Sequence, residues 1–272
     1  MKDIKVLIVP DVHGRVFWRQ PVLETLKTIV KNDSSEISIV FLGDYLSPYT
    51  AYEGITDEQS IEVFKEILEL AKVHKNIKLL IGNHDGSVIG PDYVCRVRLD
   101  TKNKPSNQKL FIDNKDLFDI CYETTINGKK FLLSHAGYLN SWLNKYADGY
   151  FEGVIKNNLN LADFLNNKFH LSFENDSEYD DFWYVMSDVD FYRGGYIDAV
   201  PSIIWTDLRK IIFGSKNLPE DVIQVVGHTI LNNKAVNYKN KVYCLDCLKC
   251  FYIDSKGDIR YYDNDKIVEE NK

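Results

Sequence analysis

The fold is decided by the stretch Ile4-Lys5-Val6-Leu7-Ile8-Val9-Pro10-Asp11-Val12-His13-Gly14. It begins as an apolar, β-branched run of strand length and ends as a loop that carries a carboxylate and an imidazole two residues apart. The arrangement recurs twice, because residues 37–42 are apolar and precede Asp44, and residues 77–81 are apolar and precede Gly82-Asn83-His84-Asp85. Since ligands of α/β folds gather at the carboxyl ends of the strands, these polar residues are expected to meet in space.

Two helices are predicted between these strands. The apolar residues that recur at helical spacing are Val22, Leu26, Ile29 and Val30 in the first, and Ile61, Phe64, Leu68 and Ala71 in the second. The resulting βαβαβ order predicts an α/β fold.

The second half of the chain reads as further strands around a different segment. Residues 124–126 and 130–133 flank Asn127-Gly128 and predict a β-hairpin, whose second strand ends at Ser134-His135. Residues 138–200, rich in Asn, Asp and aromatics, predict a mostly helical insertion that caps the site within a single domain of residues 1–272. Strands are predicted again at residues 203–205 and 222–226, the latter ending in Gly227-His228, and two hairpins at residues 235–262.

Composition sets limits on the partners. The chain has 272 residues, 44% of them hydrophobic, and a net charge of −7, which argues against long nucleic acid but not against small anions. No apolar run approaches the roughly 20 residues that span a bilayer, and no signal peptide is recognised at the start, so a cytoplasmic protein without membrane contact is expected. Five cysteines, three of them near Cys244, do not resemble a secreted disulfide framework.

Six residues from the strand-end loops are candidate ligands of two divalent metal ions: Asp11, His13, Asp44, Asn83, His135 and His228. Mixed imidazole and carboxylate ligands suit such a pair, and Asp44, central in chain order, is the natural bridge between the ions. Asp11 and His13 would hold the first ion, and the other three would complete the second. A water shared by the ions would be acidic enough to attack a phosphate as hydroxide, with His84 as general acid for the leaving alcohol.

Five of these segments, taken in order, resemble the calcineurin-like metallophosphoesterases, most closely the serine/threonine protein phosphatase branch and its bacterial and phage relatives. They are Asp11-Val12-His13-Gly14, Gly43-Asp44, Gly82-Asn83-His84-Asp85, His135-Ala136-Gly137 and Gly227-His228-Thr229. The resemblance implies a four-layer αββα sandwich of two mixed sheets flanked by helices, and a pair of Mn, Fe or Zn ions. Trp205-Thr206-Asp207 also resembles the tryptophan-acid segment that precedes a substrate-binding stretch in the family.

The chain departs from the protein phosphatases after the second motif. They continue with an acidic residue and an arginine, whereas here Ser47 and Pro48 follow. A different group must therefore orient His84, with Glu53, Asp85 or Asp246 as candidates, and a different arginine must bind phosphate. The candidates are Arg15, Arg193 and Arg209; the adjacent glycines favour Arg193.

Several alternatives stay open on the sequence. The expected reaction is hydrolysis of a phosphate monoester, either a phosphorylated Ser/Thr protein or a small ester such as a nucleotide. Phosphodiester hydrolysis and hydrolysis of dinucleoside polyphosphates are alternatives, and for the latter the residues that could stack a base are Tyr45, Tyr49, Tyr52 and Trp205. Thr229 and Ile230 after His228 favour the phosphatase branch, because many phosphodiesterases have a second histidine there. A non-catalytic scaffold is disfavoured because His84 and all ligands are retained. His74 and His170 are read as ordinary polar residues, and the cysteines at 244, 247 and 250 as small apolar ones.

Overall fold

A computed structural model describes residues 2–32, 36–48, 53–91 and 103–271. Its strands are β1 (Val6–Val9), β2 (Ser38–Phe41), β3 (Ile77–Leu80), β4 (Phe118–Asp119), β5 (Cys121–Ile126), β6 (Lys129–Ser134), β7 (Ile223–Val226), β8 (Val236–Tyr238), β9 (Val242–Cys244), β10 (Phe251–Ile253) and β11 (Ile259–Tyr261). Its α-helices are α1 (Arg19–Asn32), α2 (Asp57–Val73), α3 (Asn83–Ile89), α4 (Lys104–Ile112), α5 (Asn140–Lys145), α6 (Glu152–Asn157), α7 (Leu161–Leu171), α8 (Asp176–Met186) and α9 (Leu208–Phe213). Short 3₁₀ turns lie at Lys115–Leu117, Phe191–Arg193 and Ser215–Asn217.

The strands form two mixed sheets. The six-stranded sheet has the order β11-β10-β1-β2-β3-β4, in which β1 to β4 are parallel and β10 runs antiparallel to β1. The five-stranded sheet has the order β5-β6-β7-β9-β8, in which β6, β7 and β9 are parallel. Because β1, β2 and β3 are parallel neighbours, their carboxyl ends lie along one edge of the six-stranded sheet. The carboxyl ends of β6 and β7 lie together in the same way along one edge of the five-stranded sheet.

Alternating side chains of the strands build a core on each face of the sheets. Val6 and Ile8 of β1 pack with Leu133 and Val225 of the other sheet, in a cluster that lies between the two sheets. Leu7 and Val9 point the opposite way and pack with α1 and α2. On the far side, Val226 and Val242 pack against Leu208 and Ile211 of α9. The order of layers is therefore helix, sheet, sheet, helix, which is the predicted four-layer αββα fold.

The turn residues and the apolar spacing of the sequence predict most of these elements correctly. The Asn127-Gly128 turn joins β5 to β6 with both residues at positive φ (50° and 73°), as a two-residue hairpin requires. The two hairpins of the tail are also present, but they belong to different sheets. The β8–β9 hairpin is part of the five-stranded sheet and the β10–β11 hairpin is part of the six-stranded sheet. In α1 the predicted apolar residue Val30 is 73% exposed, so the buried stripe of this helix is narrower than its spacing suggests.

The predicted strand at residues 203–205 is wrong. These residues form a turn in which the N–H groups of Trp205 and Thr206 both bond to the carbonyl of Ser202. The apolar run is buried as a strand would be. Among the described residues, a single ladder-like bond joins it to a strand-end loop, from the Ala136 N–H to the Ile203 carbonyl.

Residues 138–200 contain α5 to α8 and pack on the edge of the second sheet and on α3. The Asn166 side chain of α7 bonds to the backbone N–H and carbonyl groups of Cys121, and the Tyr179 hydroxyl of α8 donates to the Ile89 carbonyl. The segment shares one continuous apolar cluster with α1 and α2. None of the described helices is long and apolar enough to cross a membrane.

Candidate metal centre

Asp11 and His13 lie in the loop that follows β1, and the loop is tied to the one that follows β2. The His13 N–H donates to the Asp44 carbonyl at 2.6 Å and the Gly14 N–H to the Tyr45 carbonyl at 3.0 Å. His13 adopts a left-handed backbone conformation with φ of 44°. A carbonyl oxygen, that of Leu46, lies 2.9 Å from Nδ1 of His13, so the ring is fixed with Nε2 toward the centre.

Asp44 is the central carboxylate of the cluster. Its Oδ2 lies 3.5 Å from Nε2 of His13 and 3.5 Å from Nε2 of His135, while its Oδ1 accepts the His84 N–H at 2.9 Å. The residue also has a left-handed backbone, with φ of 53°. One carboxylate oxygen thus faces ligands from both predicted metal positions, which is the geometry that a bridging residue needs.

The other predicted ligands converge on one point beside Asp44. Oδ1 of Asn83 lies 2.8 Å from Nε2 of His135 and 2.9 Å from Nδ1 of His228, and the two imidazole nitrogens are 3.1 Å apart. The Leu42 carbonyl lies 2.9 Å from Nδ1 of His135 and fixes that ring. Asp11 joins this side of the cluster, because its Oδ1 lies 4.0 Å from His135 and accepts the His228 N–H at 2.9 Å.

Two glycines make room for the carboxylates. A Cβ on Gly82 would lie 2.1 Å from Oδ1 of Asp44, and a Cβ on Gly227 would lie 2.1 Å from Oδ1 of Asp11. No heavy atom tolerates such an approach, so each carboxylate can reach the backbone of the next loop only where the side chain is missing. The glycines that precede the predicted ligands Asn83 and His228 in the sequence therefore have a direct steric cause. His228 completes the pattern of strained ligands with φ of 61°.

His84 lies at the rim of this cluster. Its Nε2 is 4.0 Å from Oδ2 of Asp44, and its ring packs edge-on against His13 with the centroids 4.9 Å apart. Its Nδ1 is buried and has no hydrogen-bond partner among the described residues. Among the residues that the structure describes, no acidic side chain binds this nitrogen, so the partner that the resemblance leads one to expect is missing there.

The structure gives Asp85 a different task from the predicted one of orienting His84. Its Oδ2 accepts the N–H groups of Asp44 and Gly82 at 2.7 and 2.9 Å, and its Oδ1 accepts the Tyr45 N–H at 3.1 Å. Both oxygens are therefore bound to backbone of the loops that present the ligands. Glu53, the second candidate, is bound to Arg15 through two bonds of 2.7 Å. Asp246 is buried, and its charge acts on Asp11, which lies on the opposite side of the cluster from His84 in the contacts above.

The three predicted phosphate-binding arginines differ in their distance from the cluster. Arg193 lies against it, because Nη2 donates to the His228 carbonyl at 2.8 Å and Nε lies 2.9 Å from Oδ2 of Asp207. Arg209 is one step farther out: it bonds Asp207 through two nitrogens and stacks on Tyr192, 4.3 Å from the ring centroid. Arg15 flanks the His13 side and is held by Glu53.

The two described residues that the sequence suggested for base stacking, Tyr45 and Trp205, are buried. Tyr45 is fully buried, stacks on Phe64 at 5.0 Å and donates its hydroxyl to the Leu80 carbonyl, so its selection as a stacking residue is wrong. Trp205 is 2% exposed and lies edge-on to His228 with centroids 6.2 Å apart. Tyr49 and Tyr52 lie outside the described residues.

Comparison with known proteins gives the family. Residues 4–262 match the family model of the calcineurin-like phosphoesterases. The chain belongs to this family. It is therefore a metal-dependent hydrolase of phosphate esters.

A solved structure at low identity shows the same fold. A cold-active protein-tyrosine phosphatase of a Shewanella species is 18% identical, with a TM-score of 0.52 over 99% of this chain and 83% of that chain. A protein serine/threonine phosphatase from Saccharomyces cerevisiae is 14% identical, with a TM-score of 0.44 over 99% of this chain and 81% of that chain. A metallophosphoesterase from Sphaerobacter thermophilus is 12% identical, with a TM-score of 0.41 over 99% of this chain and 90% of that chain. A search of curated proteins found no match.

The cluster fits the two divalent ions that calcineurin-like phosphoesterases typically bind. Two overlapping groups of side chains have ligand atoms within 4.8 Å of one another, His13-Asp44-His84 and Asp11-Asp44-His135, and they share Asp44. Burial lowers the pKa of His13 and His135 to about 3, so both rings are neutral and keep a lone pair for a metal. Burial also raises the pKa values of Asp11 and Asp44, and the nearby charges of Asp11 and Asp85 raise that of Asp44 further. A bound cation would favour the ionised form of both carboxylates.

Sequence reasoning missed Asp207 as the anchor of the arginines. Its carboxylate binds Arg193 and Arg209, and it also begins α9 by accepting the Arg209 N–H. An acidic residue two positions before Arg209 was the available signal, but such a residue is equally typical of a simple helix cap. The cysteines, by contrast, behave as interpreted: Cys244, Cys247 and Cys250 are buried in three different apolar clusters.

Proposed function

We propose that this calcineurin-like phosphoesterase is a phosphatase that hydrolyses phosphate monoesters at two divalent metal ions, Mn, Fe or Zn. The ligands would be Asp11, His13, Asp44, Asn83, His135 and His228. The observation that carries the proposal is the position of Oδ2 of Asp44, 3.5 Å from an imidazole nitrogen on each side. Bound ions would supply positive charge for the phosphate oxygens and activate the attacking water.

Arg193 is proposed to bind the phosphate. Its guanidinium is fixed by Asp207 and the His228 carbonyl, so little side-chain entropy is lost when it meets an oxyanion. A monoester dianion carries more charge than a diester, and it gains more from such a contact. Arg193 belongs to residues 138–200, which supports the further proposal that this helical segment helps to cover the site.

His84 is proposed to protonate the leaving oxygen from Nε2. Because Nδ1 is buried without an acceptor among the described residues, the proton is better placed on Nε2, which faces the cluster at 4.0 Å from Asp44. Burial holds the pKa of His84 well below its usual range, and an incoming phosphate dianion would shift it back toward the protonated form. The acid would thus be charged only when substrate is present.

The test is hydrolysis of p-nitrophenyl phosphate against bis-p-nitrophenyl phosphate by metal-stripped protein, with and without Mn²⁺. Mn-dependent turnover that favours the monoester supports the proposal. A preference for the diester would replace it with phosphodiester hydrolysis. No turnover of either substrate, with two ions bound, would count against both.

A further inference from the structure

A cavity of about 650 Å³ opens beside the metal centre, within the range of natural ligand pockets. One wall is the loop that carries His13, through Gly14, Arg15 and Val16, and the opposite wall is the start of α2. The two walls touch closely at the bottom, where a Cβ on Gly14 would lie 2.6 Å from Cβ of Ser60. The cavity is therefore a fixed part of the fold that shares a loop with the metal centre. We call it the side cavity.

The side cavity has an apolar floor. Its surface includes the side chains of Val16, Ile55 and Val63, and Val16 is 47% exposed although it is apolar. Exposed apolar surface inside a concave site is typical of ligand binding rather than of a solvated face.

The rim of the side cavity is acidic in effect. Its two arginines are already paired, Arg15 with Glu53 at 2.7 Å and Arg19 with Glu66 at 2.6 Å. Glu58 makes no ion pair among the described residues, and Glu62 forms an ion pair with the exposed Lys65. A ligand with further phosphates would meet carboxylates here, and both arginines among the described lining residues are already paired, whereas a basic group would be attracted.

We infer that the side cavity binds the protein part of a phosphoprotein substrate: an apolar side chain on its floor and a neighbouring Lys or Arg at its rim. This rests on the proposed phosphatase function and selects among its substrates. The position of Arg15 favours it, because this residue lines the cavity and follows His13 by two positions in the same loop. A segment whose phosphate lies at the metals is thereby brought alongside the cavity. Nucleotides and dinucleoside polyphosphates are disfavoured for the same electrostatic reason.

The chain offers a matched pair of variants to test this. Glu62 and Glu69 lie on the same helix, and each is paired with a lysine three residues on at 2.8 Å, but only Glu62 lines the cavity. Glu62→Lys and Glu69→Lys thus change charge and break an equivalent surface pair. Substrates are a phosphoserine peptide with adjacent Leu and Lys, the same peptide with Asp in place of Lys, and p-nitrophenyl phosphate.

Glu62→Lys is expected to lower kcat/KM for the Leu-Lys peptide about 3–10-fold, mainly through KM, and to leave p-nitrophenyl phosphate unchanged. Glu69→Lys should change neither substrate. Val16→Trp, which adds bulk at the wall of the cavity, should reproduce the selective loss. Equal rates for the Lys and Asp peptides, or equal effects of the two glutamate variants, would overturn the inference while the phosphatase stands. If wild-type protein fails to hydrolyse p-nitrophenyl phosphate, the proposed function falls, and the inference with it.

Discussion

The carboxylate of Asp85 holds the backbone of Asp44: Oδ2 of Asp85 accepts the Asp44 N–H at 2.7 Å. Asp44 is strained, with φ of 53°, and the same carboxylate binds two further N–H groups, those of Tyr45 and Gly82. A buried acceptor that serves three donors in two loops fixes how the central ligand is presented. Its effect on chemistry should therefore be indirect.

Asp85→Asn is expected to destabilise the fold by about 1–3 kcal/mol, because an amide nitrogen cannot accept from a buried N–H. Metal affinity should fall with it, since the loop of Asp44 loses its support. Urea unfolding and metal titration measure the two effects. Asp198→Asn, at an exposed position, is the control. A stable, metal-loaded variant that has lost only turnover would return Asp85 to the role of orienting His84.

Asp44→Asn should abolish turnover and lower the affinity for both metal ions. The carboxylate oxygen that faces both imidazole positions is lost or neutral in this variant, so neither ion keeps its shared charge. Metal content after dialysis and hydrolysis of p-nitrophenyl phosphate give the readouts. Near-normal turnover with two ions bound would remove the bridging role.

His84→Asn should keep both metals and lower kcat by about 10²–10⁴-fold, the scale of a lost general acid. The residue lies 4.0 Å from Asp44, beyond the closest ligand contacts of the cluster. Substrates with better leaving groups, which need less protonation, should lose less activity. If the variant loses a metal ion instead, His84 is a ligand, as its place in the His13-Asp44-His84 group would then indicate.

Comparing Arg193→Ala with Arg209→Ala separates direct binding of the phosphate from indirect positioning through Asp207. Both arginines pair with Asp207, but only Arg193 also donates to the His228 carbonyl. Arg193→Ala should lower kcat/KM for monoesters about 10–100-fold, as loss of a charged hydrogen bond to substrate implies. Arg209→Ala should cost only a few-fold, because it acts through Asp207. Equal losses would mean that Arg193 serves only to hold the loop.

His170 predicts a pH dependence of stability that is separate from the metal centre. A hydrogen bond to Asp119 at 3.2 Å raises the pKa of His170. A raised pKa in the folded state adds stability below the unfolded pKa of about 6.5, and this stability is lost as pH rises through the folded pKa. His170→Gln should therefore destabilise more at pH 5.5 than at pH 8.5, by about 0.2–1 kcal/mol for a partly exposed pair. Unfolding midpoints at the two pH values test this, and a pH-independent difference would contradict it.

The sequence predicts those parts of the site that depend on position along a strand. Asp11, Asp44 and His135 follow apolar strand runs, and parallel pairing brings such positions together. The contacts that fix them are not visible in sequence, because they are made to backbone: Leu42 and Leu46 carbonyls orient two imidazoles, and Asp85 binds N–H groups.

Burial without ladder bonds explains the main error in the fold. The residues at 203–205 are as apolar as a strand, but the Ser202 carbonyl accepts the N–H groups of Trp205 and Thr206 and closes a turn. Apolar content predicts burial, and only the hydrogen-bond pattern separates a buried turn from a buried strand. Tyr45 shows a similar error: its position next to Asp44 in the sequence suggested a ring that binds substrate, but the ring packs into the core.

The hydrogen bond from the His228 N–H to Asp11 joins residues 217 positions apart. While the chain is being synthesised, Asp11 and His13 leave the ribosome long before the loop that must complete their surroundings. Their side chains would then face water without these partners, and the proposed set of metal ligands would be complete only after residue 228 had emerged. Contacts of such high sequence separation also form slowly. A nascent fragment that lacks His228 would therefore lack one of the proposed ligands, and activity is expected only after that residue has emerged.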